Sequence, residues 1–117
     1  MQVLVTCDDP ICCDAELLLR VEGVIVGTLE RFDDRVSQVE VHLRDLESES
    51  PGDRDKVCSL EARMAGAVSV VAKHAAPTLT EAIHVAAGEL GRLVGRELRQ
   101  VGQALAGTPV RPSARSL

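Results

Sequence analysis

Three arginines, Arg92, Arg96 and Arg99, stand at i, i+4 and i+7. On a helix this spacing puts them on one face, because successive residues advance by about 100°. A fixed row of guanidinium groups suits the phosphates of a nucleic-acid strand, since arginine donates two parallel hydrogen bonds to one anion. The same row also suits a solvated helix face whose late cations are favoured by the helix dipole, and spacing alone leaves both readings open. The other reactive residue types form no comparable pattern. Cys12 and Cys13 are adjacent, so their side chains diverge and chelate a metal poorly, and no C-x-x-C or histidine-rich pair accompanies them. His42, His74 and His84 lack the serine, cysteine or carboxylate arrangement of a catalytic triad, and no glycine loop is built to cradle phosphate. Asp8, Asp9, Asp33 and Asp34 read as caps and solubilising charge in loops. The expectation is a non-enzyme that needs no cofactor and no metal.

Composition limits the partners. The chain has 117 residues, enough for one domain and one core, and 45% of them are apolar. Phe32 is the sole aromatic, which argues against a platform on which bases or sugars stack. The net charge is −5, which by itself does not point to nucleic acid, but the charge is unevenly spread. Residues 1–55 carry 14 acidic and 5 basic side chains, a balance of −9, whereas residues 56–117 carry 4 and 8, a balance of +4. No run of eighteen apolar residues spans a membrane. The opening MQVLVTC lacks the basic leader of a signal peptide. Cys7, Cys12, Cys13 and Cys58 are therefore expected to be thiols in a reducing cytoplasm.

The elements that must position these residues follow from periodicity. Residues 2–6 form a short apolar strand ending at the turn-prone DDP. Asp14 is placed to cap a helix that reaches about Phe32, with Leu17, Leu18, Val21, Val24, Ile25, Leu29 and Phe32 on its inward face. Residues 36–44 alternate, turning Val39, Val41 and Leu43 inward and Gln38, Glu40, His42 and Arg44 outward. Residues 45–55, rich in charge with one proline and one glycine, predict an exposed, mobile hairpin loop. A strand over 56–65 buries Cys58, Leu60, Ala62 and Met64; Gly66 turns the chain; 67–74 is the next strand. Thr78 or Thr80 caps a second helix to about Leu105, with Leu79, Ile83, Ala86, Leu90, Val94, Val101 and Leu105 as its core stripe. The sum is a β-α-β-β-β-α chain of the α+β class, a two-layer sandwich with both helices on one face of a four-stranded sheet. The first two strands should be parallel through a right-handed crossover and the last three an antiparallel meander. The domain spans 1–106, and the tail 107–117, with two prolines and no periodicity, is expected to be disordered.

Two surface features remain. Gly88, Gly91, Gly95 and Gly102 fall on one flank of the second helix, and Gly23 and Gly27 lie one turn apart on the first. Helical glycine costs about 1 kcal/mol against alanine, so a one-sided set implies close backbone approach by a neighbour. Leu19 and Val26 lie on the first helix's non-core side and could support a weak homodimer.

Three stretches in collinear order, LERFDDRVSQVEVHLRD at 29–45, DKVCSLEARMAG at 55–66 and PTLTEAIHVAAGELGRLVGREL at 77–98, resemble the ribosome hibernation-promoting factor and ribosome-associated inhibitor A family, once called sigma-54 modulation proteins. The likeness covers about residues 1–100. It implies the same β-α-β-β-β-α fold, a partner in the small ribosomal subunit and its 16S rRNA, and silencing of idle ribosomes under stress. It also implies contacts from basic side chains on both helices, here Arg31 and Arg35 beside the first helix's end and Arg92, Arg96 and Arg99 on the second. Family members carry lysines on the first helix where this chain has Gly23, Val26, Gly27 and Thr28. The second helix must then supply most of the positive field. The alternative is a protein-interaction module that keeps the fold without the RNA site.

Overall fold

The computed structural model describes residues 1–47 and 53–107, with backbone alone at 67 and 101–107. Strand β1 (Gln2–Cys7) is followed by helix α1 (Ala15–Leu29), strands β2 (Val36–Asp45), β3 (Lys56–Met64) and β4 (Val68–Ala76), and helix α2 (Leu79–Gly107). The sheet order is β1-β2-β3-β4, with β1 parallel to β2 and the remaining pairs antiparallel. This is the expected α+β architecture.

Each boundary has a local cause. The Asp14 carboxylate accepts the Leu17 N–H at 2.8 Å, satisfying one of the first-turn donors that an α-helix leaves unpaired. Thr78, not Thr80, caps α2: its hydroxyl accepts from Glu81 N–H at 3.2 Å. Gly66 holds φ +79° between β3 and β4, a left-handed conformation that side chains disfavour. The β2–β3 pairing sets Val41 against Leu60 and Leu43 against Cys58, so all four point the same way.

The core lies between that sheet face and the two helices. Val39, Val41, Leu43, Cys58, Leu60 and Ala62 are buried, as the alternation predicts, beneath Val21, Ile25 and Leu29 of α1 and Ile83, Ala86, Leu90 and Val94 of α2. Full burial of a leucine such as Leu43 or Leu60 contributes about 1.5–3 kcal/mol. The small residues Ala82 and Ala87 are buried too and let α2 sit close to β3 and β4.

Three expectations need revision. Leu18 is half-exposed rather than core, because the buried stripe of α1 is narrower than its run of leucines. The cysteines are not all thiols: Cys7 and Cys13 form a disulfide that ties the end of β1 to the start of α1, across the turn made by Ile11 N–H donating to Asp8 C=O at 2.9 Å. Cys12 is exposed and free, and Cys58 is a buried thiol whose burial pushes its pKa up to about 12. Asp55 is buried instead of exposed. Its carboxylate accepts from Lys56 at 3.1 Å, its carbonyl accepts the Leu46 N–H at 2.8 Å, and the Asp55 hydrogen bond raises the Lys56 pKa. The rest of the expected hairpin loop at 48–52, the tail beyond Gly107 and the side chains of Val101 and Leu105 lie outside the described residues.

Candidate nucleic-acid interface

Helix α2 buries one stripe and leaves the opposite one to solvent, and Arg92, Arg96 and Arg99 are all on the exposed side. The three span about two turns, or about 10 Å along the axis. Arg31 and Arg35 reach the same region by a different route. After Leu29 the chain tightens into a 3-10 turn over Glu30–Phe32, Arg35 N–H donates to Phe32 C=O at 2.8 Å, and β2 begins at Val36. The turn directs Phe32 toward α2, where its ring edge would lie 3.4 Å from a Cβ placed on Gly95. The guanidinium of Arg31 stacks over that ring, 4.7 Å from its centroid.

The result is an open groove of about 710 Å³ where the end of α1 meets α2, lined by Arg31, Phe32, Asp34, Arg35, Gly95, Leu98 and Arg99. Folding thus brings Arg99 to Arg31 and Arg35, more than sixty positions away in the chain. Arg92 and Arg96 do not line the groove; they extend the exposed row along α2 toward its N-terminus. Sequence reasoning missed the groove's floor, Phe32 with Leu98, because it treated Phe32 only as core. The inward-flank position of Gly95 was the available signal. Sequence reasoning also missed Asp34 as a groove residue, whose carboxylate lies 3.8 Å from Arg35 and offsets part of the positive field.

Ion pairing differs between this face and most of the sheet's outer surface. On the outer face and end of the sheet most cations are paired: Arg63 meets Glu40 at 3.0 Å, Arg44 meets Asp8 at 3.6 Å, and Lys56 meets Asp45 at 3.4 Å, whereas exposed Lys73 makes no ion pair among the described residues. Arg20 on α1 meets Glu16 at 3.4 Å. Among the described residues, Arg31, Arg92, Arg96 and Arg99 make no ion pair within 4.0 Å. Unpaired guanidinium groups that converge from two elements can hold successive anionic groups by bidentate hydrogen bonds.

The chain matches no family model and no curated protein sequence. Its β-α-β-β-β-α fold, by contrast, matches solved structures. It is similar to the N-terminal domain of Protein Y from Thermus thermophilus, at 18% identity and a TM-score of 0.67, over 82% of this chain and 98% of that one. It is also similar to a ribosomal subunit interface protein from Coxiella burnetii, at 12% identity and a TM-score of 0.60, over 84% of this chain and 99% of that one. At these identities the likeness is one of fold.

Proposed function

We propose that the chain is a cytoplasmic ribosome-associated factor that binds the small subunit's 16S rRNA and keeps idle ribosomes from translating under stress. The observation that carries this reading is the arginine face, formed by the unpaired Arg31, Arg92, Arg96 and Arg99 together with Arg35, on a fold matched by a protein described as a ribosomal subunit interface protein. With one aromatic in the chain, recognition would run through phosphate positions and backbone shape, not base stacking. About five phosphate contacts give a slope of log affinity against log salt near −3.5, so affinity falls about 100-fold between about 50 and 200 mM salt.

The competing reading, an interaction module without RNA affinity, is favoured by the net charge of −5 and by Asp34 within the groove. Co-sedimentation of the pure chain with 30S and 70S particles over a salt series separates the two. A phosphate binder leaves the pellet steeply as salt rises, whereas an apolar interface holds or strengthens. A chain absent from the pellet even at low salt leaves only the interaction module. Self-association, the other partner expected from the sequence, would use a different surface from the arginine face.

A further inference from the structure

Strand β1 is the most weakly anchored strand of the sheet. It pairs on one side only, and none of its 6 residues is fully buried: Val3, Val5 and Cys7 are half-buried, and Gln2, Leu4 and Thr6 are exposed. Strands β2, β3 and β4 each bury residues in the core. The Cys7–Cys13 disulfide ties the end of β1 to the start of α1, with the two Cα atoms 5.9 Å apart, an ordinary span for such a bond. One of its sulfurs is open to attack. Cys7 packs half-buried against the core, whereas Cys13 is exposed, next to the exposed free thiol of Cys12. The surrounding chain path is also secured without any cysteine side chain. Asp14 caps α1, Ile11 N–H donates to Asp8 C=O at 2.9 Å, and Asp8 N–H donates to Leu43 C=O at 3.0 Å. An exposed disulfide belongs to the labile kind, and disulfides in a reducing compartment are mostly redox-sensing or catalytic.

We propose that Cys7–Cys13 is a reversible thiol–disulfide exchange site, opened by a small thiol of the glutathione class, whose state sets how firmly β1 is held. A thiolate of the small molecule attacks the exposed Cys13 Sγ. A new S–S bond forms there, the Cys7–Cys13 bond breaks, and Cys7 leaves with the electron pair and takes a proton from water. A second thiolate attacks the small-molecule sulfur of this mixed disulfide. Cys13 then leaves as a thiolate and is protonated, and the small molecule departs as its own disulfide. Two electrons pass to the protein, and two small thiols become one disulfide. The reverse sequence closes the bond when the oxidised small molecule accumulates. Reduction removes a crosslink and no core residue, so both states are folded, and the reduced state opens first at β1 and the turn after it. The arginine groove lies at the far end of α1, about 20 Å away along the helix axis, so the switch does not act on it directly. That a small reducing thiol meets the site rests on the cytoplasmic location proposed above; the exchange chemistry does not, and its test needs no ribosome.

A redox titration of the full chain, followed by melting and hydrogen exchange, tests it. The measurement is made on Cys12→Ser protein, so that copies cannot crosslink and glutathione cannot cap Cys12. The protein is equilibrated in mixtures of reduced and oxidised glutathione, quenched with iodoacetamide and weighed. No adduct is expected where oxidised glutathione dominates. Two adducts, on Cys7 and Cys13, are expected at about 5 mM glutathione with about 100 reduced molecules per oxidised one, a cytoplasmic poise. The reduced form should melt about 5–15 °C lower than the oxidised form. Its amides in residues 2–14 should exchange at least tenfold faster, while those in 57–63 keep their protection. Cys7→Ser/Cys12→Ser/Cys13→Ser should match the reduced form. A disulfide that persists at the cytoplasmic poise is a permanent staple and overturns the proposal. Unchanged exchange in residues 2–14 after reduction overturns it as well, since the bond then holds nothing. So does a reduced chain that is unfolded throughout, since the bond is then a condition of folding and not a switch.

Discussion

At the scale of single residues, the four cysteines divide by environment. Cys58 is sealed between β3 and the helices, and burial disfavours its thiolate, while Cys12 is exposed. Iodoacetamide should therefore add one adduct to the native oxidised protein, at Cys12, and label Cys58 only on unfolding; mass spectrometry reads the count. The same shift predicts alkaline sensitivity. The unfolded thiol releases its proton above the ordinary value of 9.0, whereas the folded thiol keeps its proton to about 12. The unfolded state then binds fewer protons, so stability falls as pH rises from about 9 toward 12. Cys58→Ala should be less stable at neutral pH but should lose less on the way to high pH. Urea titrations at pH 7 and pH 10.5 check this; equal losses in both proteins would show that Cys58 is not the alkaline trigger.

At the scale of elements, α1 and α2 meet where α2 has no side chains to hold them apart. A Cβ on Gly91 would sit 3.4 Å from the Thr28 methyl, and one on Gly95 would sit 3.4 Å from the Phe32 ring. Both approaches tolerate little more than a methyl. Gly91→Leu and Gly95→Leu should each destabilise by about 1–3 kcal/mol through overpacking, and Gly95→Leu should also fill the groove under Arg31. Gly23 and Gly27 face open space, so Gly23→Ala and Gly27→Ala should each stabilise by about 0.5–1 kcal/mol through helix propensity. Thermal melts of the four variants test the contrast, and a destabilised Gly23→Ala would show an undetected contact at that site. The contrast also marks how far the sequence was legible. Period-two alternation in β2 and β3 fixed the buried face residue by residue, because a half-buried strand has only two registers. The one-sided glycines of α2 mark a close approach at Gly91 and Gly95 but not at Gly88, and they did not identify the neighbour, which depends on how the turn at Glu30–Phe32 aims Phe32. The Cys7–Cys13 pairing escaped notice because it depends on the path of the turn after β1, and spacing does not encode that path.

At the scale of the whole molecule, charge is sorted by location. The sheet's outer face holds Glu40, Glu61 and Asp8, each within ion-pair reach of a cation on that same face. The helical side carries the unpaired arginines. A polyanion approaching the molecule would be repelled by the acidic N-terminal half and drawn to α2, so that in the proposed complex α2 faces the ribosome. The five arginines were legible as a set only through the family resemblance. Spacing alone grouped Arg92, Arg96 and Arg99, and the fold then brought Arg31 and Arg35 to Arg99.

The most direct measurement is co-sedimentation of Arg92→Ala/Arg96→Ala/Arg99→Ala with small ribosomal subunits, beside the unaltered chain, across a salt series. The side chains point to solvent, so the triple variant should melt within a few degrees of the parent. The proposed function predicts that the parent pellets with subunits at physiological salt, that the variant does not, and that the slope of log affinity against log salt flattens by about 2. A variant that pellets with subunits as fully as the parent would contradict the arginine-face account.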